Sequence, residues 1–185
     1  MVFPIIAYGA KVLRNPCIDI DSLFNELDIL LDNMFETMYA ASGVGLAAPQ
    51  INKSLRLFII DTSPFKDEES PDHVICKKVF INPRILSSSG DSWTFNEGCL
   101  SIPDVREDVN RLSNINVEYY DEKFNKITES FSGLNARVIL HEYDHIEGIL
   151  FIDKITPLRK RMIKGKLFDI SNGKFNSQYN IRAIR

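Results

Sequence analysis

This 185-residue sequence has few cysteines and histidines, and its positive and negative charges are nearly balanced. Its three cysteines stand at irregular spacing and do not form a disulfide framework. The formal net charge of −3 offers no basic surface for nucleic acid, and no stretch approaches the ~18 apolar residues of a membrane-spanning helix. These absences argue against a disulfide-stapled module, a nucleic-acid binder and a helical membrane protein.

We expect no export signal in the first residues of this sequence. Residues 1–14 show no basic segment, no long apolar core and no small-residue cleavage site. Together with the odd number of cysteines, this indicates reduced thiols and a cytoplasmic location. The length, with 44% hydrophobic and 25% charged residues, predicts one domain over residues 1–185.

Helical periodicity of apolar residues is clear in two long stretches. The first helix should be capped by Asp21 or Ser22 and should carry the apolar residues as far as Met38. The second should begin near residue 133 and stop at Gly148. It is apolar nearly all round, so we expect it to be buried.

The rest of the chain shows strands and few further helices. Strands are expected over residues 54–61, 79–86, 115–122 and 124–131, with a turn at SSSGDS, residues 87–92. The charged stretch 62–78 should be a surface excursion, and residues 158–185 should form a basic helix followed by an extended tail. Little βαβ alternation predicts an α+β fold, with mainly antiparallel sheets packed around one buried helix.

The strongest chemical signal is the pentapeptide HEYDH at residues 141–145. On a helix, His141 and His145 lie about 40° apart, so both rings can bind one metal ion. Glu142 lies about 100° from His141, where a general base that acts on water beside the metal should be. Chance produces this arrangement after a histidine roughly once in a thousand times, so metal binding is favoured over two ordinary core histidines.

The same helix presents an apolar wall that leads to the proposed metal. A sector of about 60° contains four of its residues, namely Leu134, Val138, His141 and His145. The wall is either plain core packing or a pocket for an apolar substrate side chain. The spacing alone does not choose between the two.

The third metal ligand does not follow the motif in either of the familiar patterns. Phe151 occupies the place of the last histidine in H-E-x-x-H-x-x-G-x-x-H, and Glu147 is too close to serve as a downstream glutamate ligand. Asp153 and Asp169 remain open as alternatives, without supporting context. The better candidates therefore lie upstream.

Cys99, within EGCLSIP, is the best upstream candidate. A thiolate binds borderline or soft cations strongly. Two histidines and one cysteine leave a tetrahedral ion one open position, which favours catalysis over a closed structural site. If residues 97–102 are extended, Gly98 allows close approach of another chain, and the Leu100 N–H is available to an anion.

Three stretches occur in an order that closely resembles the signature motifs of the peptide deformylases. They are GVGLAAPQ at 43–50, EGCLSIP at 97–103 and HEYDH at 141–145. The segments YGAKVLR at 8–14 and GILFIDKI at 148–155 look like the same family, so the resemblance covers most of the chain. One departure is Leu140, where the family commonly has glutamine.

The resemblance implies a metal-dependent hydrolase that removes the N-formyl group from N-formylmethionine of nascent polypeptides and releases formate. It implies Cys99, His141 and His145 as metal ligands and Glu142 as the general acid and base that activates water with the metal. It also implies that Gln50 and the Leu100 N–H stabilise the oxyanion. Fe²⁺ is the expected ion in the cell, and Zn²⁺, Ni²⁺ or Co²⁺ can take its place.

The resemblance further implies a substrate site made of the following residues: Val44, Gly45, Glu97, Gly98, Arg106, Leu134 and Val138. The backbone at 44–45 and at Gly98 would pair with the substrate peptide as an added strand. The apolar side chains, with His141, would line the methionine pocket, and Glu97 and Arg106 would lie near its rim. A transient ribosome contact through the basic helix is also implied.

Two other functions compete with this hypothesis. An HExxH zinc peptidase would cleave unformylated internal peptide bonds, and the missing downstream ligand argues against it. A non-catalytic peptide-binding relative would be expected to have lost part of the set, yet Gln50, Cys99, Glu142 and both histidines are present. A redox or structural metal protein is disfavoured by the open coordination position.

Overall fold

The computed structural model describes residues 1–66 and 73–184. Its helices are α1 (Leu27–Ala40), α2 (Gly133–Ile146) and α3 (Pro157–Ser171). Its strands are β1 (Ile5–Ile6), β2 (Gly45–Ala47), β3 (Leu57–Asp61), β4 (Lys77–Cys99), β5 (Ile102–Tyr120), β6 (Lys126–Ser132) and β7 (Ile181–Arg182). The fold is α+β. Among the described helices, none has the length and apolar character needed to cross a membrane.

Most strands belong to one antiparallel sheet. Its order is β2-β3-β4-β5-β6, and each neighbouring pair runs antiparallel. The two shortest strands, β1 and β7, form a separate parallel pair that joins the beginning of the chain to its end. Because β2 is at one edge of the larger sheet, its second side has no strand partner among the residues that the structure describes and can pair with another extended chain.

The prediction of a turn at SSSGDS is wrong, because residues 87–92 lie inside β4. The pairing of β4 with β5 shifts register between Ser89 and Ser92, and Gly90 between them has a φ of +80°. A bulge of this kind accommodates turn-forming residues without ending the strand. The turn-forming residues of this segment therefore mark a bulge inside a long hairpin and not the end of a strand.

The first helix begins later than its expected cap. Asp21 closes a local turn instead, since its side chain accepts a hydrogen bond from the Leu23 N–H at 2.9 Å and its carbonyl accepts one from the Phe24 N–H at 2.9 Å. α1 starts at Leu27, directly after Glu26, whose φ of +67° is left-handed. Residues 67–72 of the expected surface excursion lie outside the described residues.

Helix α2 packs its apolar residues against the sheet. Ile139 and Ile146 are fully buried in one cluster with Phe58 of β3 and Phe80 of β4. Burial of each such side chain stabilises the fold by about 1.5–3 kcal/mol. The helix ends at Ile146, and Gly148, two residues later, has a φ of +74°. This packing sets the orientation of the face that carries residues 141, 142 and 145.

Candidate metal centre

Three potential ligands meet where the end of β4 approaches α2. Cys99 is the last residue of β4, and His141 and His145 lie one turn apart on α2. One ligand atom from each lies within 4.8 Å of the other two, and the Cys99 sulfur is 3.2 Å from the His145 Nε2. The chain thus brings a thiol to two imidazoles that each lie more than forty positions further along the sequence.

Two observations test whether these residues fit a divalent metal ion. A thiolate and two imidazole nitrogens are a donor set that borderline cations prefer. In addition, Glu142 Oε2 and His145 Nδ1 are buried without a hydrogen-bond partner among the described residues. Buried polar atoms are normally satisfied, so an occupant such as an ion with its water would remove the cost at Glu142. The residues fit such an ion.

A buried ion-pair network orients His141. The Glu97 Oε2 lies 2.9 Å from the His141 Nδ1. Arg111 donates to both Glu97 oxygens, at 2.7 and 2.9 Å, and Arg137 donates to Oε1 at 2.9 Å. Arg111 also donates to Asp144 at 2.6 Å, so the network returns to α2.

The charge of Glu97 follows from this network. Burial opposes its ionisation, but hydrogen bonds from Arg111 and His141 outweigh burial and hold its pKa well below the usual range. An ionised carboxylate accepts a hydrogen bond from the His141 Nδ1–H, which leaves Nε2 with its lone pair directed away from Glu97. Glu97 therefore selects the ring nitrogen of His141 that can bind a metal.

Glu142 has very different surroundings. It is buried, and burial raises its pKa to about 7. A carboxyl group with this pKa can take up and release a proton near neutral pH. Gly45 of β2 makes room for it, because a Cβ there would lie 2.5 Å from Glu142 Oε1. The glycine is thus required for space rather than for backbone conformation.

The turn between β4 and β5 differs from the extended segment expected over 97–102. Cys99 pairs with Ile102, so Leu100 and Ser101 form a two-residue turn. The N–H of the first turn residue is not part of the ladder, and it remains available to an anion. Gln50 supports the turn through a 3.3 Å hydrogen bond from its Nε2 to the Ser101 hydroxyl, and its Nε2 is 3.6 Å from the Cys99 sulfur.

A cavity of about 380 Å³ opens beside the three potential ligands. Most of the residues singled out in the sequence line it, namely Val44, Gly45, Gln50, Glu97, Gly98, Cys99, Leu100, Arg106, Val138, His141 and Glu142. His145 is buried and Leu134 is half-buried, and neither is among the lining residues.

Several residues of the site are not singled out by sequence patterns. Phe65, Phe95, Arg137 and Tyr179 also line the cavity, and Arg111 holds Glu97. A signal exists for Arg111 alone, since it occupies an inward position of β5, two residues after the buried Val109. A buried arginine requires a carboxylate partner. Phe95 and Arg137 stand four residues before Cys99 and His141 on β4 and α2, whereas Phe65 and Tyr179 come from distant parts of the chain.

Known proteins with the same sequence features share this fold. The family model for polypeptide deformylase matches residues 2–161. The peptide deformylase of Christiangramia forsetii is 55% identical over 188 residues, covering 98% of this chain and 96% of that protein. That of Flavobacterium psychrophilum is 53% identical over 190 residues, covering 100% and 98%.

Solved structures agree with these relatives. The crystal structure of a peptide deformylase from Legionella pneumophila is similar with a TM-score of 0.80 and 35% identity, covering 93% of this chain and 96% of that one. A peptide deformylase structure from Plasmodium falciparum has a TM-score of 0.81 and 33% identity, covering 91% and 95%. The chain belongs to the polypeptide deformylase family.

Proposed function

We propose that this protein is a metal-dependent hydrolase that removes the N-formyl group from the N-terminal methionine of nascent polypeptides. One observation carries the proposal: Cys99, His141 and His145 converge within 4.8 Å beside the buried carboxyl of Glu142, next to a cavity. Water adds to the formyl carbon, the C–N bond breaks, and formate and a free amino terminus result.

The ion would be held by Cys99, His141 and His145. When bound, it supplies Lewis acidity that activates water and polarises the formyl oxygen. We take Fe²⁺ as the ion in the cell, with Zn²⁺, Ni²⁺ or Co²⁺ as replacements that the same donors accept. A thiolate site with iron is sensitive to oxygen. Purification in air should therefore cost activity that Ni²⁺ restores, and full activity of the aerobic iron form would contradict Fe²⁺.

Glu142 moves the proton. It accepts a proton from the attacking water at Oε2, the buried oxygen that lacks a partner among the described residues. It then delivers the proton to the amine nitrogen that leaves. A pKa of about 7 suits both steps, because neither protonation state is strongly disfavoured at neutral pH. Exclusion of bulk water by burial keeps this proton on the reaction path.

Two donors of the chain stabilise the charge that develops on the formyl oxygen. They are the side-chain amide of Gln50 and the N–H of Leu100, which stands in the turn after Cys99. Gln50 is fixed in place, since its Oε1 accepts a 2.9 Å hydrogen bond from the Ala47 N–H. A preorganised donor of this kind contributes about 3 kcal/mol to lowering the barrier.

The substrate peptide binds as an added strand. β2 is an edge strand, so the backbone near Val44 and Gly45 can pair with an extended peptide on its open side. Gly98 provides close approach from the opposite wall, and Arg106 lies over it, since a Cβ at position 98 would meet the Arg106 Nη1 at 2.9 Å. Val44 and Val138, with the His141 ring, line the methionine pocket.

The whole chain serves this reaction in the proposal. We take residues 1–185 as one catalytic domain in the cytoplasm, with α2 and its HExxH motif as the central buried helix. Residues 158–185 form the C-terminal appendage of that domain. A transient ribosome contact through α3 is part of the proposal, and the exposed apolar residues Leu158, Met162 and Phe168 with the neighbouring basic residues would supply it.

Metal analysis combined with a formate-release assay tests the function. The metal-loaded protein should hydrolyse formyl-Met-Ala-Ser and leave Met-Ala-Ser intact. Cys99→Ser should lose both metal and activity, whereas Cys76→Ala is a matched control that removes a buried thiol outside the cavity and should keep both. Cleavage of unformylated internal peptide bonds would support a zinc peptidase instead, and metal-loaded protein without formate release would support a binding relative.

A further inference from the structure

The C-terminal tail returns to the substrate cavity after α3. β7 pairs with β1, where the Ile5 N–H donates to the Asn180 carbonyl at 2.8 Å and the Ala7 N–H donates to the Arg182 carbonyl at 2.9 Å. This pairing brings Tyr179, just before β7, to the cavity wall. Position 179 lies beyond residues 2–161, the part of the chain that carries the family pattern.

Tyr179 contacts the turn that follows Cys99. Its hydroxyl donates a 2.8 Å hydrogen bond to the Leu100 carbonyl. The next carbonyl, that of Ser101, accepts a 2.8 Å hydrogen bond from the Tyr8 N–H. Both ends of the chain therefore hold this turn, and each end does so through one carbonyl.

The bonded carbonyl belongs to the peptide group that decides the shape of the turn. In a four-residue turn from 99 to 102, the central peptide joins Leu100 to Ser101. Flipping this central peptide interconverts type I and type II turns. A hydrogen bond to the Leu100 carbonyl favours one orientation, and so limits rotation of the backbone next to the Leu100 N–H.

The tail does not need this hydrogen bond for its own attachment. Besides the pairing of β7 with β1, Phe175 and Ile181 pack against the apolar cluster that includes Phe151 and Ile170. The phenol ring of Tyr179, by contrast, is half-buried and faces the cavity. Its polar end is on the turn and its apolar body is beside the cavity, as is common for tyrosine in binding sites.

We propose that Tyr179 is a positioning residue for deformylation, whose hydroxyl orients the Leu100–Ser101 turn and whose ring forms one wall of the peptide cleft. The inference rests on the proposed function, in which the Leu100 N–H stabilises the oxyanion. Because the oxyanion exists only in the transition state, loss of the hydroxyl should affect kcat more than KM. Loss of the ring should also weaken substrate binding.

The experiment compares Tyr179→Phe, Tyr179→Ala and Phe175→Leu in the full-length, metal-loaded protein with formyl-Met-Ala-Ser. Tyr179→Phe should lower kcat about fivefold, the effect of one lost hydrogen bond, with KM unchanged. Tyr179→Ala should lower kcat similarly and raise KM several-fold. Phe175→Leu, a control for tail packing, should lower the thermal midpoint by roughly 2–4 °C and leave kcat and KM unchanged.

A second measurement does not depend on turnover. The Ser101 N–H shares its peptide group with the Leu100 carbonyl, so its amide NMR signal should shift in Tyr179→Phe and not in Phe175→Leu. Wild-type kcat and an unshifted Ser101 signal in Tyr179→Phe would overturn the inference alone. Equal losses of kcat in all three variants, in step with their thermal midpoints, would reduce Tyr179 to a structural anchor. No formate release by the wild type would overturn the proposed function itself.

Discussion

Two glutamates, both 4% exposed, adjoin His141 and have opposite surroundings. Glu97 accepts hydrogen bonds from two arginines and the His141 ring, and its pKa is held well below the usual range. Glu142 has an oxygen without a hydrogen-bond partner in the described part of the chain, and burial raises its pKa to about 7. Equal burial thus produces a permanent anion in one case and a proton carrier in the other, because the nearby charges differ.

The two glutamates also differ in whether they contribute to stability or to activity. Glu97 stands in a satisfied network, which stabilises the fold as long as every member is present. The buried Glu142 oxygen, which has no partner within residues 1–66 and 73–184, costs stability, as is common for groups that a reaction needs. Substitutions at the two positions should therefore have effects of opposite sign on stability.

Glu142→Ala should have the largest effect on turnover. Removing the proton carrier should lower kcat on the order of 10⁴-fold, the upper range for general acid–base catalysis. Metal content should stay at the wild-type level, and the thermal midpoint should not fall, because a buried unpartnered carboxylate is removed. Formate release, metal analysis and thermal unfolding measure the three. Loss of metal would make Glu142 a ligand and contradict its role as base.

Arg111→Leu should have the largest effect on stability. It leaves the Glu97 and Asp144 carboxylates buried without their shared partner, and breaking a buried ion pair costs about 3–5 kcal/mol. Denaturant unfolding of the metal-free protein measures the loss. Arg106→Leu is the matched control, since Arg106 bonds only to exposed Asn96 among the described residues. Equal losses in the two variants would remove the special role of the buried network.

Gln50→Ala removes an oxyanion donor that forms no hydrogen bond with Glu97 or Glu142 among the described residues. It therefore tests turnover separately from the charges of the two glutamates. Loss of one oxyanion donor should lower kcat about 100-fold, equivalent to about 3 kcal/mol, with little change in KM or metal affinity. Steady-state kinetics and metal titration distinguish these. An unchanged kcat would take Gln50 out of the reaction.

Glu97→Gln should give the smallest of the four expected changes, and that change is a loss of metal affinity. The amide keeps the shape of the side chain but replaces one acceptor oxygen by an NH₂ donor and removes the charge, so His141 loses the charged acceptor that fixes its ring nitrogen. Metal affinity should fall about 10- to 100-fold, as is typical when such a supporting partner is lost. Competition with a chelator measures it. If Glu142→Gln weakened metal binding equally, the two glutamates would not differ in the way proposed.

Local spacing made parts of the site predictable. His141, Glu142 and His145 follow from helical geometry alone, because the relevant atoms are within one turn. The order of the three motifs adds Cys99 and Gln50. The strands around the hairpin are recognisable, yet the bulge at Gly90 and the turn at Leu100 are not, since register is set by the partner strand. The late start of α1 follows from the local turn at Asp21.

The sequence by itself determined the donor types, the helix that carries two of them, and the resemblance to a family of hydrolases. Only the tertiary structure decided which charges surround them. Arg111 reaches Glu97 across 14 positions and Tyr179 reaches Leu100 across 79, and no periodicity links residues so far apart. Contacts of this kind depend on how sheet, helix and chain ends pack together, and those contacts set the pKa values and the shape of the turn.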